Sequence, residues 1–314
     1  MRALVDHESM FAHPEAVARA VADGAAEAPE TEPVEVHVHR ESWPVLVSVI
    51  LGVAVLPAIL YGLLSGSAYR DYGGDLVLVS RAQDVLTALV VPLLLWAGVR
   101  SRRGSLAGHL LWLGLLFYLA YSYAIYLIGW PENRVFLLYV VAVLLSAAAL
   151  VDGLVRVSPS RVRPAVAALH TRGLGWFLVV VGVAFVGLWL SDVGPSALGG
   201  RAPVHLGPGG TPYAVYVLDL TVALPAVIAT GVMLVRRHPM AAVVGGVVLV
   251  KVTTLFTALW LGVAAELLAG RHVGFTPDMV PSALLPVVTV AVLVHGARRL
   301  GRPEHGWLRE RLWA

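Results

Sequence analysis

Long uncharged runs, separated by short arginine-bearing breaks, dominate the chain. Eight such runs fall near 43–64, 78–99, 106–128, 135–156, 173–191, 213–235, 241–268 and 278–298. A helix needs about 20 apolar residues to cross the hydrocarbon core of a bilayer, and runs of this kind meet that length. The breaks between them are polar and turn-forming, as in SRRG (101–104), WPENR (130–134) and RRHP (236–239). The pattern predicts an all-α integral membrane fold with eight transmembrane helices. Composition agrees, since 58% of the 314 residues are hydrophobic and 14% charged. A soluble domain carries about 25% charged residues, so a soluble core is excluded.

The arginines set the expected orientation. Loops after the even-numbered runs, together with the C-terminal tail, hold fourteen of them. The opposite side holds five, Arg70, Arg81, Arg134, Arg201 and Arg271, mixed with acids such as Asp71, Asp75 and Glu132. The positive-inside rule then places both termini in the cytoplasm, and the bias toward Arg over Lys and toward Ala, Val and Leu points to a GC-rich bacterial genome and so to a bacterial inner membrane. The start, MRALVDHE (1–8), has no apolar segment behind it, so the first span is expected to act as its own insertion signal. Residues 1–41 carry nine acids and three arginines, a net of −6, so the rest carries +9 of the total +3. Much of that excess is a cytoplasmic arginine collar suited to anionic lipid headgroups, and no nucleic-acid role follows from it. Cysteine is absent, which excludes disulfides, thiolate metal sites and cysteine nucleophiles.

The runs also pair with one another. The second reads DVLTAL (84–89) and ends GVR (98–100), while the sixth reads DLTVAL (219–224) and ends GVMLVRR (231–237). LVDGLVR (150–156) in the fourth matches LVHGARR (293–299) in the eighth, and LGVA (51–54) in the first matches VGVA (181–184) in the fifth. The offset grows from 130 to 135 to 143 residues, as longer loops in a second copy would produce. Two parallel four-helix repeats are expected, 42–157 and 172–299, flanked by an acidic tail (1–41) and a basic tail (300–314). An even number of spans per copy gives both copies the same orientation, as in parallel-repeat transporters. Asp84 and Asp219 become equivalent positions.

The segment PYAVYVLDLTVALP (212–225), followed by GVMLVRRHP (231–239), resembles uncharacterised bacterial polytopic membrane proteins in which an outer loop leads into a helix starting Val-Leu-Asp-Leu. The tyrosine-rich YLAYSYAIY (118–126) is similar to the same group. The resemblance covers about half the chain and brings no activity with it.

Ionisable groups at membrane depth are costly, so each is a candidate functional residue. Lys251, in VVLVKVTTLF (247–256), is the one lysine of the chain. The second span offers Arg81, Gln83 and Asp84, the third Tyr118 and Tyr121, the sixth Asp219, and the seventh Thr254 beside Lys251. Counting about 1.5 Å per residue puts Lys251 near or past the midplane and gives Asp84 and Asp219 the same nominal depth. The polar neighbours Arg81 and Gln83 favour Asp84 as the partner of Lys251. Lys251 reads either as half of an interhelical ion pair or as a binding residue. A Schiff-base lysine conflicts with eight spans and two cytoplasmic termini. Tyr123 and Tyr126 fit an interfacial aromatic belt.

Other features carry less chemistry. VEVHVH (34–39) alternates like a strand and offers at most three metal ligands, so it reads as a solvated strand. PEAVARAVAD (14–23) starts as a helix does, with Pro at its first position. No catalytic motif, metal site or cofactor fingerprint is visible. The expected function is therefore transporter- or channel-like, for a small solute or ion, through an outward-facing polar cavity between the repeats. The alternative is a non-catalytic membrane subunit or sensor that docks a cytoplasmic partner through residues 1–41.

Overall fold

A computed structural model describes residues 42–69, 74–160, 162, 171–202, 205–207, 210–274 and 279–299. The tail features at 14–23 and 34–39, and the tail through which a partner would dock, lie outside the described residues. Eight long helices follow in order: α1 Trp43–Leu64, α2 Gly74–Arg102, α3 Leu106–Gly129, α4 Phe136–Arg156, α5 Thr171–Ala197, α6 Ala214–Val235, α7 Ala241–Leu268 and α8 Met279–Arg299. Seven of them, α1 to α7, are long and apolar enough to span a membrane. In α8 the apolar stretch is shorter, Ser282–Arg298, about 25 Å at the α-helical rise.

Each helix is built by its local sequence. Pro44 sits in the first turn of α1, where its missing N–H costs nothing. Gly104, at φ 81°, ends the turn after α2, and the Ser105 side chain accepts the Gly108 N–H (3.1 Å) to open α3. Helix α5 continues to Ala197, beyond the expected end near 191, because Ser191–Ala197 adds two further turns with Pro195 inside them. Helix α6 changes pitch at Asp219–Ala223, which forms a π turn between two α-helical segments.

The helices are apolar on both faces, which distinguishes them from soluble amphipathic helices. On α1, Val47, Leu51, Val55 and Ile59 are buried while Leu46, Val49, Val53 and Leu60 are exposed. The polar side chains go the other way: Ser48, Asp84, Asp219, Lys251 and Thr289 are all buried. An apolar outside around a polar inside is what a lipid solvent selects.

Helices α1 to α4 pack as a ring in which α1 touches α2 and α4, and α3 touches α2 and α4. In the second half, α5 packs on α6, α6 on α7 and α7 on α8. Helix α7 also packs on α2 and α3, and α3 touches the first segment of α6, so α2, α3, α6 and α7 form the boundary between the halves. Small residues bring the backbones close. A Cβ on Gly231 would lie 2.7 Å from the Gly175 carbonyl oxygen, so α5 and α6 cross at backbone contact.

Candidate functional site

The π turn holds Asp219 at the boundary between the halves, 4% exposed. Two helices donate to it. The Tyr121 hydroxyl of α3 donates to Oδ1 (2.6 Å), and the Trp189 indole N–H of α5 donates to Oδ2 (2.8 Å). Helix α7 supplies the positive charge: Lys251 Nζ lies 3.6 Å from the centroid of the Tyr121 ring. Lys251 is 3% exposed, and among the described residues no carboxylate oxygen lies within 4.0 Å of its ammonium. Asp219 is the carboxylate whose charge acts on Lys251, and the phenol of Tyr121 stands between them. The ring face attracts the ammonium while the hydroxyl bonds the carboxylate, so one side chain contacts both charges.

The outer approach to Asp219 is lined by aromatic and polar groups. Tyr216 lies 4.7 Å from Trp189, centroid to centroid. Its hydroxyl donates to Asp192 Oδ2 (2.8 Å) and lies 2.8 Å from His205 Nδ1, which itself lies 3.3 Å from Asp192 Oδ2. Tyr213, just ahead of α6, ionises above the ordinary tyrosine range because it is buried and because Asp219 repels a phenolate.

Asp84 occupies a second and separate centre, also 4% exposed. The Tyr69 hydroxyl, from the turn between α1 and α2, donates to Asp84 Oδ2 (2.5 Å). Burial first, then the nearby carboxylate, push Tyr69 ionisation far above the ordinary range, so its hydroxyl keeps its proton and stays a donor. The carboxylate fits here because α1 carries Gly62 beside it: a Cβ at that position would overlap Asp84 Oδ2 and approach the Tyr69 hydroxyl to 2.5 Å.

Beside Asp84, Gln83 points to another network. Its amide donates to the Tyr118 hydroxyl (2.5 Å) and to Ser122 Oγ (3.1 Å), and Thr87 Oγ1 lies 2.8 Å from the Tyr118 hydroxyl. Arg81 is exposed, one turn from Asp84, and forms no ion pair within 4.0 Å among the described residues. Thr254 bonds the carbonyls of its own helix, Val250 (3.1 Å) and Lys251 (2.9 Å). The residues picked from sequence therefore fall into two groups. Lys251, Tyr121 and Asp219 come together, as do Gln83 and Tyr118, while Lys251 faces Asp219 and not Asp84. Trp189 and Tyr69 were not among the sequence candidates. Trp189 ranks as an apolar residue near a span end, and Tyr69 lies outside the spans.

At the opposite end of the bundle, His109 is pinned between Ser101 Oγ (Nδ1, 2.8 Å) and the Gly153 carbonyl (Nε2, 3.2 Å). Because Gly153 can only accept, Nε2 carries the hydrogen and Nδ1 accepts from Ser101. Asp152 pairs with Arg156 one turn on (2.7 Å), a half-exposed contact worth little. Among the described residues, no three His, Asp or Glu side chains gather as a metal-binding group.

Seven membrane-length apolar helices with charges enclosed between them make this a multi-pass, membrane-embedded protein. No protein-family model, curated protein or solved structure matches the chain.

Proposed function

We propose that the chain is a transporter- or channel-like protein of the bacterial inner membrane, acting on a small solute or ion. It would have two parallel four-helix repeats and both termini in the cytoplasm. The paired segments of α2 and α6 support the repeat, and so do the neighbour relations at the boundary, whereas the α1–α4 packing has no counterpart of similar extent between α5 and α8. Exchanging α1–α4 for α5–α8 turns the α2–α7 contact into α6–α3 and leaves α3–α7 unchanged. A two-fold axis along the membrane normal, running between α3 and α7, has that property.

One observation carries the functional reading: the Tyr121–Asp219 hydrogen bond crosses from one half to the other, with Lys251 held over the Tyr121 ring. A direct Asp–Lys bond would be a static staple between helices. With a phenol between the charges, the ammonium keeps its N–H donors, and it hydrogen-bonds none of the described residues. It is thus a seat for an acceptor-bearing solute or an anion when the halves part. The π turn under Asp219 is a local irregularity of the kind found at functional sites. In the conformation described, Asp219 and Lys251 are both enclosed, so the outward-facing cavity belongs to a second state of the same site.

The test is flux from proteoliposomes, recorded as charge movement on supported membranes for protons, alkali cations, chloride, phosphate and amino acids. Lys251→Met and Asp219→Asn should abolish the currents that the unaltered protein carries. Folded variants that carry every one of those currents at full size would overturn the reading.

A further inference from the structure

Among the described residues, one buried carboxylate has no basic side chain in contact with it. Among the described residues the buried carboxylates are Asp84, Asp192 and Asp219, and Lys251 is the one buried lysine or arginine. Lys251 serves Asp219 across Tyr121, and His205 stands beside Asp192. Tyr69 from the α1–α2 turn bonds Asp84, and further phenols feel its charge: Tyr118, Tyr123 and Tyr126 from α3, and Tyr139 from α4. Arg81, one turn away on the same helix, acts on Asp84 through its charge but is exposed and forms no ion pair with it within 4.0 Å, and α7 directs Lys251 to Tyr121 instead. A buried carboxylate with no cation in contact among the described residues is neutralised at least cost by a proton or by a metal cation.

Geometry separates these two. A hard cation collects several oxygen lone pairs around itself. At Asp84 the nearest oxygen is the Tyr69 hydroxyl, which turns its hydrogen and not its lone pair toward the carboxylate. The notch at Gly62 is already filled by Asp84 Oδ2 itself. The remaining neighbours form a stacked row: Tyr69 and Tyr126 at 6.3 Å between centroids, and Tyr126 and Tyr139 at 5.2 Å. The Tyr126 hydroxyl lies against that of Tyr69 and donates to the Ser80 carbonyl (3.4 Å), and the Tyr139 hydroxyl accepts from Asn133 (3.1 Å) in the α3–α4 connection. Phenolic hydroxyls both donate and accept, so once the Tyr126 hydroxyl turns from Ser80 the Tyr126–Tyr69 row can pass a proton to Asp84 without either phenol being ionised.

We propose that Asp84 is a proton-exchange site, loaded through the hydroxyls of Tyr126 and Tyr69. One proton reaches the Tyr126 hydroxyl from water. Each phenol gives its hydrogen to the next oxygen as it receives another, and the last O–H bond forms on Asp84. The row ends unchanged in composition, and one carboxylate has become a carboxylic acid. This site stands apart from the transport reading, because a proton can exchange at Asp84 whether or not a solute moves.

Infrared difference spectroscopy of the full chain in nanodiscs, recorded between low and high pH, tests it without any flux measurement. The expected result is a carboxylic-acid C=O band that shifts in D2O, is lost in Asp84→Asn, and is unchanged when sodium is replaced by choline at one pH. Tyr69→Phe should move the band to higher frequency, as a lost hydrogen bond does. Tyr126→Phe should leave the band in place and slow its hydrogen–deuterium exchange by about tenfold, the effect of about one hydrogen bond in the barrier. If Asp84→Asn fails to fold, Asp84→Glu takes its place, with a displaced band as the expected result. Persistence of the band in a folded Asp84 variant overturns the proposal. So does the absence of such a band, its loss on adding sodium at fixed pH, or unaltered exchange in Tyr126→Phe. None of these outcomes bears on the flux test of Lys251 and Asp219.

Discussion

Removing Lys251 and Asp219 together should harm the fold less than the two single losses predict. The charges are linked through one phenol, with the ammonium 3.6 Å from the ring centroid and the carboxylate 2.6 Å from the hydroxyl. For two unit charges about 6 Å apart at an effective dielectric near 20, the attraction is about 3 kcal/mol. The cation–π contact adds about 2 kcal/mol where the ammonium is desolvated. Lys251→Met should therefore lower stability by about 3–5 kcal/mol, the range seen when one member of a buried pair is removed. Asp219→Asn strands the ammonium and should cost a similar amount. In the double variant, the cation–π loss and the altered bonds to Tyr121 and Trp189 are the same as in the singles. They cancel in the cycle and leave the Coulomb part, a coupling of about 3 kcal/mol. The assay is reversible unfolding in mixed micelles on an SDS titration, followed by circular dichroism for the four proteins. A coupling below about 0.5 kcal/mol, the ordinary scatter of independent sites, would refute the idea that Asp219 is the counter-charge of Lys251.

Gly62→Ala should cost about 1–3 kcal/mol by overpacking, because its methyl group would fall on the Asp84 carboxylate and the Tyr69 hydroxyl. Gly66→Ala, which meets open space in the following turn, is the matched control and should be near neutral in the same unfolding assay. Gly231→Ala should also cost about 1–3 kcal/mol, since besides the Val179 side chain the methyl group would meet the backbone of α5 at Gly175 O (2.7 Å) and Val179 N (2.9 Å), which no rotamer change can relieve. Gly187→Ala, on α5 but facing open space, should leave stability unchanged or raise it by up to about 1 kcal/mol.

The spans are legible in the sequence because membrane insertion depends on summed polarity, a quantity that needs no tertiary contact. The polar residues at depth are legible for the same reason: Asp84, Asp219, Lys251, Tyr118 and Tyr121 each break an apolar run, and each is buried. Depth along a helix follows from counting, but rotation about its axis does not. Asp84 and Asp219 share a nominal depth, so the choice between them rests on which helix faces α7, and counting is silent on that. The polar neighbours that favoured Asp84 mislead for a physical reason. Arg81 faces outward, and Gln83 turns to Tyr118 and Ser122. Thr254 looks free in the sequence, yet a helical threonine readily satisfies its hydroxyl on the preceding turn, as this one does. The π turn has no sequence mark at all, since DLTVAL and the α-helical DVLTAL share composition and spacing.

Lys251 has a further consequence, in covalent chemistry. As the chain's one lysine, it is the one side-chain amine open to acylation, the α-amino group being the other amine of the polypeptide. Acylation needs an unprotonated amine that the reagent can reach, and the ring of Tyr121 covers this one at 3.6 Å. An amine-reactive reagent thus acts at a single internal position, and only when α3, α6 and α7 move apart. The rate at which that position acquires label is a clock for the opening of the boundary between the halves, readable by mass spectrometry on the unmodified sequence.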